Sequence, residues 1–157
     1  MRFVHGSDGI FNEEGFAFDD VLIQNAPPYN AKLISIISPQ TSCAFTGTDS
    51  VKLMVTNLGS VFFDTLDLSY SINSGTTITE TLTDTVNPGD TVIYTFSTTT
   101  NLSTFGTYSI DAFISLFGDI NLSNDSILGD SVTSLPGVST FPYIEDFENG
   151  NGGWTSG

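Results

Sequence analysis

Cationic side chains are the scarcest component of this sequence: three Lys and Arg stand against eighteen Asp and Glu, a formal charge of −15. Binding a phosphate backbone takes neutralising cations, and Arg2, Lys32 and Lys52 are too few and too scattered to form a basic patch, so nucleic acid is not an expected partner. The same arithmetic disfavours an anionic membrane surface. Cysteine is nearly absent as well. Cys43 stands alone, which rules out an internal disulfide, and it reads as a small buried or turn residue. His5 is the one histidine and has no Ser or Cys nucleophile motif around it, so no catalytic triad can be assembled, and no GxxxxGK phosphate loop is present. No apolar run reaches the roughly 18 residues of a membrane-spanning helix, so direct membrane insertion is not expected. The opening MRFVHGSDG has no hydrophobic signal core, so a secreted parent would carry its signal upstream.

Helical signals are missing too. No stretch of about ten residues carries the i, i+3, i+4, i+7 apolar spacing, and Ala, Lys, Arg and Gln are sparse. In their place, Ser and Thr make up about a quarter of the chain, with β-branched residues throughout. The expected fold class is all-β. At 157 residues there is room for one domain with a proper core and two flanking pieces, but not for two domains.

Two-residue alternation is the firmest positive signal. Residues 50–56 (SVKLMVT) put Val51, Leu53 and Val55 on one face, and residues 66–72 (LDLSYSI) put Leu66, Leu68, Tyr70 and Ile72 inward. Residues 107–116 (TYSIDAFISL) form the longest alternation, with Tyr108, Ile110, Ala112, Ile114 and Leu116 on the core face and Phe113 outward. Further strands are read at 32–38, 76–83, 91–97 and 127–133, with 76–83 (TTITETLT) suited to an edge because only Ile78 and Leu82 are there to bury. Turn chemistry separates them at Asn57-Leu58-Gly59-Ser60, Asn73-Ser74-Gly75 and Asn87-Pro88-Gly89-Asp90. Seven strands at this spacing predict an immunoglobulin-like Greek-key sandwich over 31–133, with Pro-bearing linkers at 24–30 and 135–142.

The segments VKLMVTNLGS (51–60), LSYSIN (68–73), NPGDTVIYTFS (87–97) and GTYSIDAFISLFGDINLSND (106–125) resemble the bacterial cell-adhesion-related (CARDB-like) immunoglobulin-like modules that occur in tandem in surface proteins of Bacteroidetes-type organisms. In the flanks, GFAFDDVLI (15–23) is similar to the last strand of MAM-like or concanavalin-like jelly-rolls, and FPYIEDFENG (141–150) to the first. The resemblance implies a slice through a larger protein: the end of one jelly-roll in 1–25, a sandwich in 31–133 and the start of a second jelly-roll in 141–157. It further implies an extracellular or cell-surface module whose partners are the neighbouring domains of the same chain.

Clustered acids are the candidate sites. Asp19, Asp20, Glu145, Asp146 and Glu148 are metal candidates, because calcium takes six to eight oxygens and strand-borne carboxylates supply them. Calcium is the one cofactor they suggest. In the resembling jelly-rolls, the first and last strands lie near one another. A second oxygen-rich group, Asp119, Asn121, Asn124 and Asp125, reads as a hairpin whose side chains satisfy their own backbone, and it lacks the spacing of a calcium loop. Glycoside hydrolysis needs two acids about 5–9.5 Å apart in a cleft, which a single flanking strand cannot build, so no enzyme activity is expected. Sugar stacking would use exposed aromatics, with Trp154, Phe62, Phe63 and Phe113 as candidates. The expected function is a non-enzymatic structural or adhesion module of a multidomain secreted or cell-surface protein. The alternative is a carbohydrate-binding accessory module of a secreted hydrolase, with carbohydrate or another surface protein as the partner.

Overall fold

Alternating apolar and polar side chains become seven strands in the computed structural model, which describes residues 26–137, 144–146, 148 and 150. The strands are β1 (Ala31–Ser38), β2 (Lys52–Asn57), β3 (Leu66–Ile72), β4 (Ile78–Leu82), β5 (Thr91–Thr95), β6 (Gly106–Ser115) and β7 (Ser126–Ser134). Every boundary expected from the sequence falls within two residues of the observed one. The flanks assigned to jelly-rolls lie outside the described residues apart from 144–146, 148 and 150.

Two antiparallel sheets face each other, one ordered β1-β2-β5 and the other β4-β3-β6-β7. The fourth strand therefore pairs with the third, as an added strand does in variable-type immunoglobulin sandwiches, and not with the fifth. Inward residues come at every second position. Val51, Leu53 and Val55 are fully buried beside β2's partners, against Leu66, Leu68, Ile110 and Ala112 of the facing sheet. Each such aliphatic side chain contributes about 1.5–3 kcal/mol by leaving water. Phe96 meets Tyr70 and Tyr94 edge-to-face, with ring centroids 4.7 Å and 5.3 Å apart, and closes one side of the core.

One hydrogen bond marks the immunoglobulin-like corner. Near the start of β6 the Tyr108 hydroxyl donates to the Thr104 carbonyl at 2.7 Å, four residues upstream. Two positions on, fully buried Ile110 stands where antibody domains place their second cysteine, so apolar packing replaces the disulfide there. Cys43 is exposed in the loop after β1.

Turns form as their chemistry dictates. Asn73 and Ser74 both take positive φ (50° and 56°), and Gly75 N donates to the Ile72 carbonyl at 2.9 Å, which makes a primed turn between β3 and β4. Pro88 followed by Gly89 at φ 84° gives a type II turn, with Asp90 N donating to the Asn87 carbonyl.

Register shifts interrupt the pairing in two strands, β1 and β7. In β1 the register slips between Leu33 and Ser35, leaving Ile34 exposed while Ile36 turns into the core. In β7, Leu128 and Gly129 together oppose Asp111, and Gly129 N donates to Asp111 Oδ1 at 2.8 Å. That extra residue carries Leu128 out to solvent and returns Val132 to the core.

Candidate functional site

The chain enters the sandwich at one end and leaves at the other. At the leading end, residues 27–30 lie along 58–61: Leu58 N donates to the Asn30 carbonyl, Ser60 N to Pro27 and Val61 N to Pro28, at 2.7–3.1 Å. Proline offers no N–H, but its carbonyl still accepts, so the Pro-Pro pair is fastened by its acceptors alone. At the trailing end, Ser42 N donates to the Thr133 carbonyl at 3.1 Å, Leu135 N to the Ser42 carbonyl at 2.9 Å and Thr133 N to Thr41 Oγ1 at 3.0 Å. Both described linker segments are thus tied down onto the sandwich.

Asn57 organises the leading end. Its side chain is fully buried, and its Nδ2 donates to the Val61 and Val86 carbonyls at 3.0 and 2.9 Å, while Oδ1 accepts from Gly59 N at 2.8 Å. Gly59 is required beside it. A Cβ there would lie 2.5 Å from the Pro28 carbonyl oxygen.

Glu80 joins the sheets along one edge. From β4 its carboxylate accepts hydrogen bonds from Ser97 N, Ser97 Oγ and Thr98 N at 2.8–2.9 Å, and from the Tyr94 hydroxyl at 3.0 Å. Partial burial pushes the Glu80 carboxyl up, but the hydrogen bonds from Ser97 and Thr98 outweigh it and hold it down at about 2. Burial, and next the Glu80 charge, raise the Tyr70 hydroxyl in turn.

Residues 116–125 gather oxygens at the leading end around a single 3₁₀ turn, Leu122–Asn124. Asp119 Oδ2 accepts from Ala31 N at 2.7 Å and Oδ1 from Asn121 N at 2.8 Å, tying the start of β1 to the loop that leaves β6. Asp125 is only 8% exposed. Burial first, and the neighbouring Asp119 charge second, push its carboxyl up to about 6. Gly118, at φ 84°, lets the Tyr29 ring lie against the loop.

Among the flank acids, Asp19 and Asp20 lie outside the described residues. Asp146 Oδ1 accepts from Glu148 N at 3.1 Å, a local turn, and Glu145 stands beside it in irregular chain. Among the described residues, no three Asp, Glu, His or Cys side chains gather closely enough to hold a metal by themselves. Trp154 also falls outside. Phe63 is core and Phe62 half exposed in a loop. Phe113 projects outward from β6, paired across the sheet with Ser69 and Ser126, so it stands on a hydroxyl-rich face with no second ring beside it among the described residues.

The sequence reading missed Asn57 and Glu80. The N-x-G of residues 57–59 signals an Asx-type turn, and Glu80 shares parity with Ile78 and Leu82, an inward-pointing charge on an edge strand.

These features define the class: an immunoglobulin-like, all-β sandwich module. No protein-family model and no curated protein matches the sequence. Among solved structures, the chain is similar to the CARDB domain of PF1109 from Pyrococcus furiosus. Its solution NMR structure matches over 71% of this chain and 99% of that one, at 22% identity and a TM-score of 0.48. The crystal structure of the same domain in complex with di-metal ions matches over 75% and 98%, at 17% identity and a TM-score of 0.49. At TM-scores below 0.5, neither likeness bears on what this chain does.

Proposed function

We propose that the chain supplies a non-enzymatic structural or adhesion module of a multidomain secreted or cell-surface bacterial protein. The observation that supports this reading best is the opposed placement of its two ends. β1 starts at the leading end and β7 finishes at the trailing end, so neighbouring modules are held apart by a strand length of about 25 Å plus loops. Tension between those ends runs along β1 and β7 and loads their ladders in shear, with many hydrogen bonds sharing the force. Exposed Phe117, Ile120 and Leu122 rim the leading end, an apolar surface suited to a preceding module of the same chain. The high negative charge keeps such an array soluble and its units apart.

Carbohydrate recognition is the competing reading, and it would favour an exposed pair of coplanar rings on one sandwich face. Phe113 has no such companion among the described residues. Affinity electrophoresis of the full chain through gels cast with soluble polysaccharides separates the two. The structural reading predicts unchanged mobility. Retardation that Phe113→Ala removes would move the assignment to a carbohydrate-binding module.

A further inference from the structure

The two sheets end in four edge strands, β1, β5, β4 and β7, and each edge presents a row of main-chain donors and acceptors that must be covered or blunted. Three of them are dealt with. On β1 the register slips, and Asp119 occupies Ala31 N. β7 carries a register shift of its own, and Thr41 and Ser42 bond to the main chain of Thr133. On β4, Glu80 points a charge inward to Ser97. β5 has none of these devices. Thr91–Thr95 (TVIYT) contains no charge, no proline and no register shift, and among the described residues it pairs with β2 alone.

The direction of its free groups follows from the ladder. Asn57 N donates to the Asp90 carbonyl and Phe96 N to the Val51 carbonyl, so residues 90, 92, 94 and 96 turn their main chain to β2, while Thr91, Ile93 and Thr95 turn theirs to the open side. The side chains of these three lie on the outer face, where Ile93 is 51% exposed. This edge is also self-complementary. Read outward from Ile93, the set Thr-Ile-Thr is the same in both directions, so a two-fold axis there sets Ile93 against Ile93, and Thr91 against Thr95, of a second copy. All are hydrogen-bonded positions, and about six main-chain bonds close. Aliphatic and Thr–Thr pairs directly across strands add to them. Charge permits the approach. β1, β2 and β5 contain no Asp or Glu and carry Lys32 and Lys52, whereas the facing sheet carries Asp67, Glu80, Asp111 and Asp130. Asp90, just ahead of β5, is held in its own turn by Asn87 N and Nδ2. In a chain of formal charge −15, the three-stranded sheet is therefore the part least repelled by its own copy.

We propose that two copies of this chain associate through β5, antiparallel about Ile93, to form one continuous sheet ordered β1-β2-β5-β5-β2-β1. The axis is perpendicular to the strands, so the two sandwiches run in opposite directions, each leading end beside the other's trailing end. The contact joins separate molecules and uses neither end of the module. A five-residue edge is about 17 Å long, which places the interface at the small, transient end of the range. This pairing goes beyond the structural-module reading and does not depend on it.

Sedimentation equilibrium of the full chain at about 0.15 M salt, where its net charge is screened, is the test. Cys43→Ser is the background throughout, because an exposed thiol links copies by itself on oxidation. The expected result is a monomer–dimer equilibrium with half-association between roughly 10 µM and 1 mM. Ile93→Lys, at an exposed position, should keep the melting temperature and weaken association roughly tenfold or more, since it sets like charges directly opposite. Under mild oxidation, Ile93→Cys should link to its own copy, because hydrogen-bonded partners stand about 5.5 Å apart between Cα atoms, within disulfide reach. Thr91→Cys, about 13 Å along the strand from its counterpart, should not. A monomer at every concentration up to about 1 mM would overturn the proposal and leave the edge to a segment of a different protein. A dimer that Ile93→Lys leaves intact would overturn it as well, and so would Thr91→Cys linking as readily as Ile93→Cys.

Discussion

Replacing Asn57 by Ala removes the one side chain that binds two loops and its own turn at once. Three hydrogen bonds disappear, to the Val61 and Val86 carbonyls and from Gly59 N, at 2.8–3.0 Å. Each is worth about 1 kcal/mol net, and partners left unmade in a buried site cost about 1–3 kcal/mol apiece where water cannot replace the lost group. Because Asn57 is fully buried, water reaches the vacated space poorly, and the expected loss is about 3–5 kcal/mol. That is a third or more of the roughly 5–15 kcal/mol that holds a typical domain together. Urea unfolding followed by circular dichroism should show the midpoint falling by roughly 2 M, given a slope of about 1–3 kcal/mol per molar. Asn57→Asp should do no better, since a carboxylate oxygen would then face the two carbonyls. Exposed Ser60, whose hydroxyl makes one long bond at 3.3 Å to the Pro27 carbonyl, supplies the control, with Ser60→Ala expected to cost less than about 0.5 kcal/mol. A loss below about 1 kcal/mol for Asn57→Ala would show that the amide does not hold the leading end together.

Two further outcomes follow from the same geometry. Glu80's carboxyl is depressed from 4.5 to about 2, so its stabilisation is fully present above pH 4.5 and is lost as pH falls towards 2. After allowance for solvent screening it contributes about 1–2 kcal/mol. The stability gap between wild type and Glu80→Gln should therefore be widest at neutral pH and close by pH 2, as read from urea unfolding at several pH values; a gap independent of pH would contradict it. Gly59→Ala should cost about 1–3 kcal/mol by forcing its Cβ against the Pro28 carbonyl. Gly129→Ala, with nothing within 4 Å and only its φ of 69° to strain, should cost about 1 kcal/mol in the same assay.

Strand positions were legible because burial on one face writes a two-residue period directly into the sequence, as in Val51, Leu53 and Val55. The parity of 107–116 likewise foretold both buried Ile110 and outward Phe113. Bulges escaped, since an extra residue such as Leu128 alters facing without altering composition, and Gly129 inside a strand was the one local hint. The membership of β4 was not legible either. TTITETLT fits any edge, and only the primed turn at Asn73-Ser74 ties it to β3. The polar network was hidden for a different reason: Asn57 bonds to Val86 and Glu80 to Ser97, partners that become neighbours only after the sheets stack. Asp125 looked like an ordinary turn acid, yet it is buried, in a loop that Asp119 fastens to Ala31 N, 88 residues away in the chain.

Pulling the full chain by its two ends in a single-molecule force experiment tests the module reading most directly. The account predicts one abrupt release of roughly 320 Å, as about 100 residues at about 3.5 Å each leave the folded span together under shear. Gradual, stepless lengthening at low load, or release in several small increments, would contradict a sandwich built to carry tension from one end to the other.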